Sequence, residues 1–137
     1  MNPKALAIIG GILVIAGAFA PWASFHSSSR GVSRYFYGYE SDGLITGLAG
    51  LIILVVGIGT TMKPSKLFSF PIVSLSVLAG LVTVMRLWTI YSAIGLQPVG
   101  VRASIDYGLN CLTPLGLAFA FLAGVTRMPK ENPRLGR

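Results

Sequence analysis

Four long apolar runs, separated by polar segments, dominate the chain. They cover residues 3–20, 43–62, 71–91 and 107–126. Each run has close to the number of apolar residues, about 20, that a helix needs to cross a hydrocarbon core. The runs are unbroken rather than alternating, which favours helices over the strands of a membrane barrel. The pattern therefore predicts an all-α membrane protein, a four-transmembrane-helix bundle that forms one domain over residues 1–137.

The segment 21–42, between the first two runs, is the longest polar connection. Within it, Tyr35, Tyr37 and Tyr39 follow the two-residue period of a strand, after a turn rich in serine and glycine. This spacing favours a small outer β-hairpin between helices 1 and 2. Together with Trp22, the tyrosines form an aromatic set that suits either burial against a partner or a cap on the bundle.

The basic residues lie unevenly about the runs, and this asymmetry predicts an orientation. Seven of the eleven flank one side: Lys4, Lys63, Lys66, Arg127, Lys130, Arg134 and Arg137. Three flank the other side: Arg30, Arg34 and Arg102. Since loops rich in Lys and Arg stay in the cytoplasm, we expect both termini to be cytoplasmic and segment 21–42 to be outside. The membrane is expected to be a bacterial plasma (inner) membrane.

Composition and charge narrow the choice of partners. Hydrophobic residues make up 53% of the chain and charged residues 11%, against about 25% charged residues in soluble domains. The net charge of +7 and the basic cytoplasmic tail, residues 127–137, indicate anionic lipid on the cytoplasmic side. Nucleic acid is not expected, because the basic residues flank apolar runs and no recognition motif accompanies them.

Arg86 lies inside the third run, where an ionisable side chain is a functional hypothesis by default. One interpretation is a contact with an ion or substrate on a transport path. The other is a structural pair with Asp42 or Asp106, which both lie at predicted outer helix ends. We favour the pair, because a long side chain near the outer end of a helix can extend toward the interface.

Small residues recur at spacings that let membrane helices approach closely. The predicted packing positions are Gly43 and Gly47 in the second run and Gly116, Ala120 and Gly124 in the fourth. Such seams either hold the chain's own helices together or join it to another protein. Internal packing is favoured, because four helices in one chain need seams of their own.

Catalytic chemistry has little support in the sequence. His26 and Cys111 are the only histidine and the only cysteine. A nucleophile needs a nearby base and an orienting third group, and one His with one Cys cannot fill a tetrahedral zinc site. We therefore expect no catalytic residue, no metal site, no cofactor and no enzyme activity. An envelope enzyme that uses this Cys/His pair ranks last among the hypotheses.

Two motifs support a resemblance. Pro21-Trp22-Ala23-Ser24 follows the first run, and Asp42-Gly43-Leu44-Ile45-Thr46-Gly47-Leu48 opens the second. With Tyr107-Gly108-Leu109 at the fourth run, the chain resembles small bacterial four-span (tetraspan-like) membrane proteins of unassigned function that carry a PW…DG…G pattern. Its layout is also similar to claudin-like tetraspans, although the first outer loop lacks their cysteine pair. The resemblance implies a fold and a membrane but no activity.

These observations lead to two hypotheses of function. The first is an accessory or scaffold subunit that packs against a larger membrane complex and has no chemistry of its own. Its partners would be membrane lipids and either another membrane protein or further copies of the chain. The alternative is a small transporter or channel, monomeric or homo-oligomeric, with Arg86 near the path.

Overall fold

A computed structural model describes residues 2–27, 31–59, 66–96 and 101–126. The basic tail, residues 127–137, and residues 63–65 of the connection between the second and third runs lie outside the described residues. So do several basic residues used to predict the orientation: Arg30, Lys63, Arg127, Lys130, Arg134 and Arg137.

Two strands follow the first helix, and a third strand lies between the last two helices. The helices are α1 (Pro3–Phe19), α2 (Gly43–Gly59), α3 (Lys66–Ile94) and α4 (Thr113–Thr126). The strands are β1 (Pro21–Ser27), β2 (Val32–Tyr37) and β3 (Val101–Ile105). A short 3-10 helix, Gly38–Glu40, precedes α2, and a π-helix, Gly108–Leu112, precedes α4.

The three strands form an antiparallel sheet in the order β2-β1-β3. β1 is the central strand, since Ser24 pairs with Tyr35 of β2 and with Ser104 of β3. Because β1 follows α1 directly and β2 leads through the 3-10 helix into α2, the sheet lies at one end of the helices. A backbone hydrogen bond of 3.0 Å from Asp106 to the Trp22 carbonyl extends the β1–β3 connection.

The predicted fold class, an all-α bundle with a small outer hairpin, is wrong. β3 turns the hairpin into a three-stranded sheet, so the fold has both helices and an antiparallel sheet. The sequence analysis left the segment 101–105 in a connection, although apolar Val101, Ala103 and Ile105 alternate there with polar Arg102 and Ser104. The exposed edge of β1 is what selects it as a strand, and that pairing joins residues 80 positions apart.

The helix lengths also differ from those expected of four membrane spans. Within the described residues, two segments, Ser69–Ile94 and Gly108–Thr126, are long and apolar enough to cross a membrane by length and composition alone. α1 and α2 have 17 residues each, a length of about 26 Å. By length and composition alone, this set of helices fits a soluble α/β protein as well as a four-span bundle.

α3 and α4 each contain a proline near the N-terminal end. Pro71, predicted to start the third helix, lies inside α3 instead. Pro114 lacks the N–H that would bond to the Asn110 carbonyl, and the preceding turn is a π-helix. In that turn both the backbone N–H of Thr113 and its hydroxyl donate to the Gly108 carbonyl.

α1 is the central helix and packs against both α2 and α4. A Cβ atom at Gly10 would lie 2.7 Å from the backbone nitrogen of Ala120, and one at Gly50 would lie 2.9 Å from Val14. α3 covers α4, whereas α2 and α3 meet over a smaller area. The helices therefore leave a groove between α2 and α3.

Candidate functional site

Arg86 and Asp42 form an ion pair across the α2–α3 groove. Arg86 lies on α3, and Asp42 directly precedes α2, where its carbonyl accepts hydrogen bonds from the first turn. Arg86 Nε donates to Asp42 Oδ2. The side chains are 35% and 40% exposed, so the pair is half-buried. The hydrogen bond from Arg86 lowers the pKa of the Asp42 carboxyl, against the opposing effect of desolvation.

Asp106, the other acid predicted as a partner, does not pair with Arg86. It lies between β3 and the π-helix, and its backbone carbonyl accepts from Asn110 N–H at 3.2 Å. Its Oδ2 atom is buried and has no hydrogen-bond partner among the described residues. The structure therefore ties α3 to the start of α2 and leaves α4 out of the pair.

A cavity of about 240 Å³ lies between the sheet and the last turns of α3. We call it the sheet cavity. Its sheet wall is aromatic, formed by Trp22, Phe25, Phe36 and Tyr37. Its polar groups include Arg86, Thr89, Ser41 and Glu40. The space therefore combines aromatic rings with one cation and one carboxylate.

A second cavity of about 380 Å³ lies in the α2–α3 groove, and we call it the helix groove. Its apolar lining is Ile45, Val82 and Met85. Arg86 and Thr89 line both cavities. Since Val82 lies one turn before Arg86 on α3, the helix groove extends away from the sheet. The guanidinium therefore stands where the sheet cavity meets the helix groove.

Glu40 is positioned by the turn between β2 and α2. Its Oε2 accepts a hydrogen bond from the Tyr37 backbone N–H at 3.3 Å. This hydrogen bond caps the N-terminal end of the 3-10 helix Gly38–Glu40. The turn itself requires small residues, because a Cβ at Gly43 would collide with the backbone of Gly38. Gly43 thus packs at a turn and not only in a helix seam.

The aromatic residues predicted for the outer segment do not form one surface in the structure. Trp22 is only 2% exposed, and its Nε1 donates to the Gly17 carbonyl at 2.8 Å. Tyr35 and Tyr39 are exposed, whereas Tyr37 is half-buried and lines the sheet cavity. Tyr39 belongs to the 3-10 helix rather than to β2, which ends at Tyr37. Trp22 therefore anchors the sheet to α1 and is not part of an outer surface.

The other predicted packing positions lie between helices. A Cβ at Gly116 would lie 2.7 Å from the Val14 backbone nitrogen, and Ala120 is fully buried. Gly124 packs against α3 near Val73, and Gly47 lies near Ala18 of α1. These contacts place the small residues in seams within the chain.

His26 and Cys111 lie at opposite ends of β1. His26 Nδ1 and Ser33 Oγ share a hydrogen bond of 2.8 Å near the far end of the strand. Cys111 is exposed in the π-helix, whose Gly108 contacts the Pro21 carbonyl at the start of the strand. Five extended residues separate these ends by about 17 Å. Within the described ranges, no group of three or more His, Cys, Asp or Glu side chains could hold a metal ion.

The sequence analysis identified Arg86 and Asp42, and it singled out Trp22 and Tyr37 of the sheet cavity, but it missed Thr89, Phe25 and Phe36. Thr89 is three positions after Arg86 and therefore shares its helix face, which was a usable signal. Phe25 and Phe36 face each other across β1 and β2 at 5.3 Å between ring centroids. Their contribution depends on how the sheet lies over α3, which the sequence does not show.

Comparison with known proteins does not assign the chain to a family. The chain matches no protein-family model, and no curated protein matches it. The resemblance to small bacterial four-span proteins therefore stays a prediction.

Proposed function

We propose that this protein is an accessory subunit inserted in a membrane, where it packs against a larger complex and has no chemistry of its own. The observation that carries the proposal is the apolar outer surface of the helices. On α3, Val84, Met85 and Trp88 are 64%, 70% and 74% exposed. Large contiguous apolar patches are rare on soluble monomers and mark contacts with proteins or membranes.

The positions of the charged residues support insertion. Among the described helices, α2 and α4 contain no charged residue, and α1 contains only Lys4, in its first turn. α3 carries Lys66 at its first residue and Arg86 near the sheet. The remaining described charges belong to the sheet and its turns. This arrangement suits helices in hydrocarbon and a sheet in water.

The orientation and the partners belong to the same proposal. The seven-to-three asymmetry of basic residues favours cytoplasmic termini in a bacterial plasma membrane, with the sheet outside. Anionic lipid would contact the cytoplasmic side. The protein partner would cover the outer face of α3, because Ser69–Ile94 is the less buried of the two long apolar segments, at 22% against 44% for Gly108–Thr126.

Fractionation and co-purification test the proposal. We expect the chain to stay in membranes after alkaline carbonate washing and to co-purify with a larger membrane complex in mild detergent. Leu81→Ala combined with Trp88→Ala on α3 should reduce co-purification, whereas Phe121→Ala on α4 is the matched control. Recovery in the soluble fraction would contradict insertion, and a monodisperse monomer in every mild detergent would contradict the accessory role.

A small transporter or channel is the second candidate, favoured by one observation. Arg86 and Thr89 line both the sheet cavity and the helix groove, so polar side chains stand between two neighbouring spaces. Flux through liposomes that is lost in Arg86→Gln, with the fold unchanged by circular dichroism, would support transport. Absence of flux for a panel of ions and small solutes would leave the accessory role.

A further inference from the structure

We propose that the sheet cavity and the helix groove together bind one zwitterionic phospholipid whose head group carries an amine. The phosphate would bind Arg86, the ammonium would lie among the aromatic rings near Glu40, and an acyl chain would follow the helix groove. The inference rests on the proposed membrane insertion and names a lipid partner for the site.

The guanidinium of Arg86 has donors left for a phosphate. It carries five N–H groups, and its described hydrogen bond uses only the one on Nε, to Asp42. Among the described residues, the terminal nitrogens have no hydrogen-bond partner. A fork of N–H donors fits two oxygens of a phosphate, which is why arginine is common where phosphates bind.

The charge around Arg86 excludes a simple anion as the best occupant. Asp42 already neutralises the guanidinium, and Glu40 adds a further negative charge to the sheet cavity. A ligand with only a phosphate would increase the net negative charge of the site. A ligand that also carries an ammonium adds no net charge and can place its cation near Glu40, so complementarity favours a zwitterion over a phosphate alone.

The walls of the sheet cavity suit an ammonium group. Phe25 and Phe36, whose rings contact each other, are among the aromatic residues that line the space, and cations bind favourably over aromatic faces. Glu40 Oε1 has no hydrogen-bond partner within the described ranges, since its pairing with Tyr37 N–H uses Oε2. One carboxylate oxygen is therefore available to the ammonium.

The helix groove supplies the place for an acyl chain. Beyond Asp42, Arg86 and Thr89 its lining is Ile45, Val82 and Met85. α2 and α3 contact each other least among the neighbouring helices, and the groove between them extends from Thr89 to Val82 along α3. A head group in the sheet cavity and a chain in the helix groove would place the phosphate at Arg86, where the two spaces meet.

Native mass spectrometry tests the site. Protein purified in a sugar-headed detergent and stripped of lipid is incubated with phosphatidylethanolamine, phosphatidylglycerol or diacylglycerol of identical acyl chains. We expect one phosphatidylethanolamine to remain bound per chain. Phosphatidylglycerol, which lacks the ammonium, should be retained about tenfold less, the factor for one charge-assisted hydrogen bond. Diacylglycerol, which lacks the phosphate as well, should be retained still less. Equal retention of all three lipids would overturn the inference.

Variants locate the binding. Arg86→Gln with Asp42→Asn removes both charges but keeps groups that can hydrogen-bond, and it should abolish retention. Glu40→Gln, at an exposed position, should remove only the preference for phosphatidylethanolamine over phosphatidylglycerol, and it tests the site even if the double variant unfolds. Arg102→Gln, an exposed arginine on β3, is the matched control. Unchanged retention and preference in Glu40→Gln, or unchanged retention in a folded double variant, would refute the assignment.

Soluble phosphoethanolamine separates a lipid from a free head group. If it displaces the lipid at equal concentration, the occupant is a soluble zwitterion and the lipid assignment is wrong. Fractionation of the same samples separates this inference from the proposed function. A chain that stays in membranes with its complex but retains no specific lipid contradicts the lipid site alone. A chain found in the soluble fraction contradicts the proposed function.

Discussion

Replacing Gly10 by alanine should destabilise the fold through the contact between α1 and α4. The new Cβ would lie 2.7 Å from Ala120 N and from Gly116 O, whereas an ordinary van der Waals contact begins at 3.4 Å. Both neighbours are backbone atoms, so neither can rotate away and the helices must separate. Overpacking of this kind costs about 1–3 kcal/mol.

Gly80 provides a matched control for this substitution. It also lies inside a helix, α3, but a Cβ there would meet nothing within 4 Å. Both substitutions gain the helix propensity of alanine over glycine, about 1 kcal/mol. The difference between the two variants therefore isolates the packing cost, and we expect Gly10→Ala to be less stable than Gly80→Ala by about 1–3 kcal/mol.

Equilibrium unfolding in mild detergent, followed by circular dichroism, measures that difference. Gly80→Ala should unfold at or above the midpoint of the unmodified chain, and Gly10→Ala below it. Equal midpoints for the two variants would show that α1 and α4 are not in contact at Gly10, which would refute the helix arrangement.

The remaining predictions concern the ion pair, the tryptophan anchor and the orientation. In a double-mutant cycle, Arg86→Ala and Asp42→Ala should show a coupling of about 0.2–1 kcal/mol in the free energy of unfolding, because both side chains are half-exposed. In the control cycle, Arg86→Ala and Asp106→Ala should have additive effects. Coupling in that control would contradict the pairing of Arg86 with Asp42. Since Arg86 lowers the pKa of Asp42 in the folded state, the stability gained from the pair should be present above the ordinary Asp pKa of about 3.9 and be lost as the pH falls through the folded pKa. The thermal unfolding midpoint of Asp42→Asn should therefore fall less at acid pH than that of the unmodified chain. An equal fall in the two proteins would argue against the pair. Trp22→Phe should cost about 1–3 kcal/mol in detergent unfolding, because the buried Gly17 carbonyl loses its donor; an unchanged midpoint would show that the bond contributes nothing. In a Cys111→Ala background, Ser33→Cys should be labelled by an impermeant maleimide in intact cells, and labelling only after lysis would reverse the orientation.

The apolar pattern located the helices because helix formation depends on local sequence. α1 and α2 begin at residues 3 and 43, where the apolar runs begin. α3 begins five residues before Pro71, because a proline near the start of a helix removes few of its hydrogen bonds. The extent of α2 beyond residue 59 lies outside the described ranges.

The sheet and the cavities could not be predicted in the same way, because they depend on contacts between distant segments. β3 is a short segment that becomes a strand by pairing with β1. Arg86 was recognisable as unusual by itself, but the choice of Asp42 over Asp106 depends on where α2 and α3 meet. Trp22 resembles a surface aromatic in the sequence and is buried by the turn that follows α1.

The position of β1 in the centre of the sheet has a consequence for the order of folding. β1 can pair with β2 soon after synthesis, since they are joined by a short turn, but its other edge must wait until β3 has been made. The Ser24–Ser104 hydrogen bond, 2.8 Å long, joins residues 80 positions apart, and such distant contacts form slowly. Until then β1 has an unpaired edge, which is a site for wrong pairing with other chains. A chain shortened before residue 101 would keep that edge of β1 unpaired and so remain open to pairing with other chains.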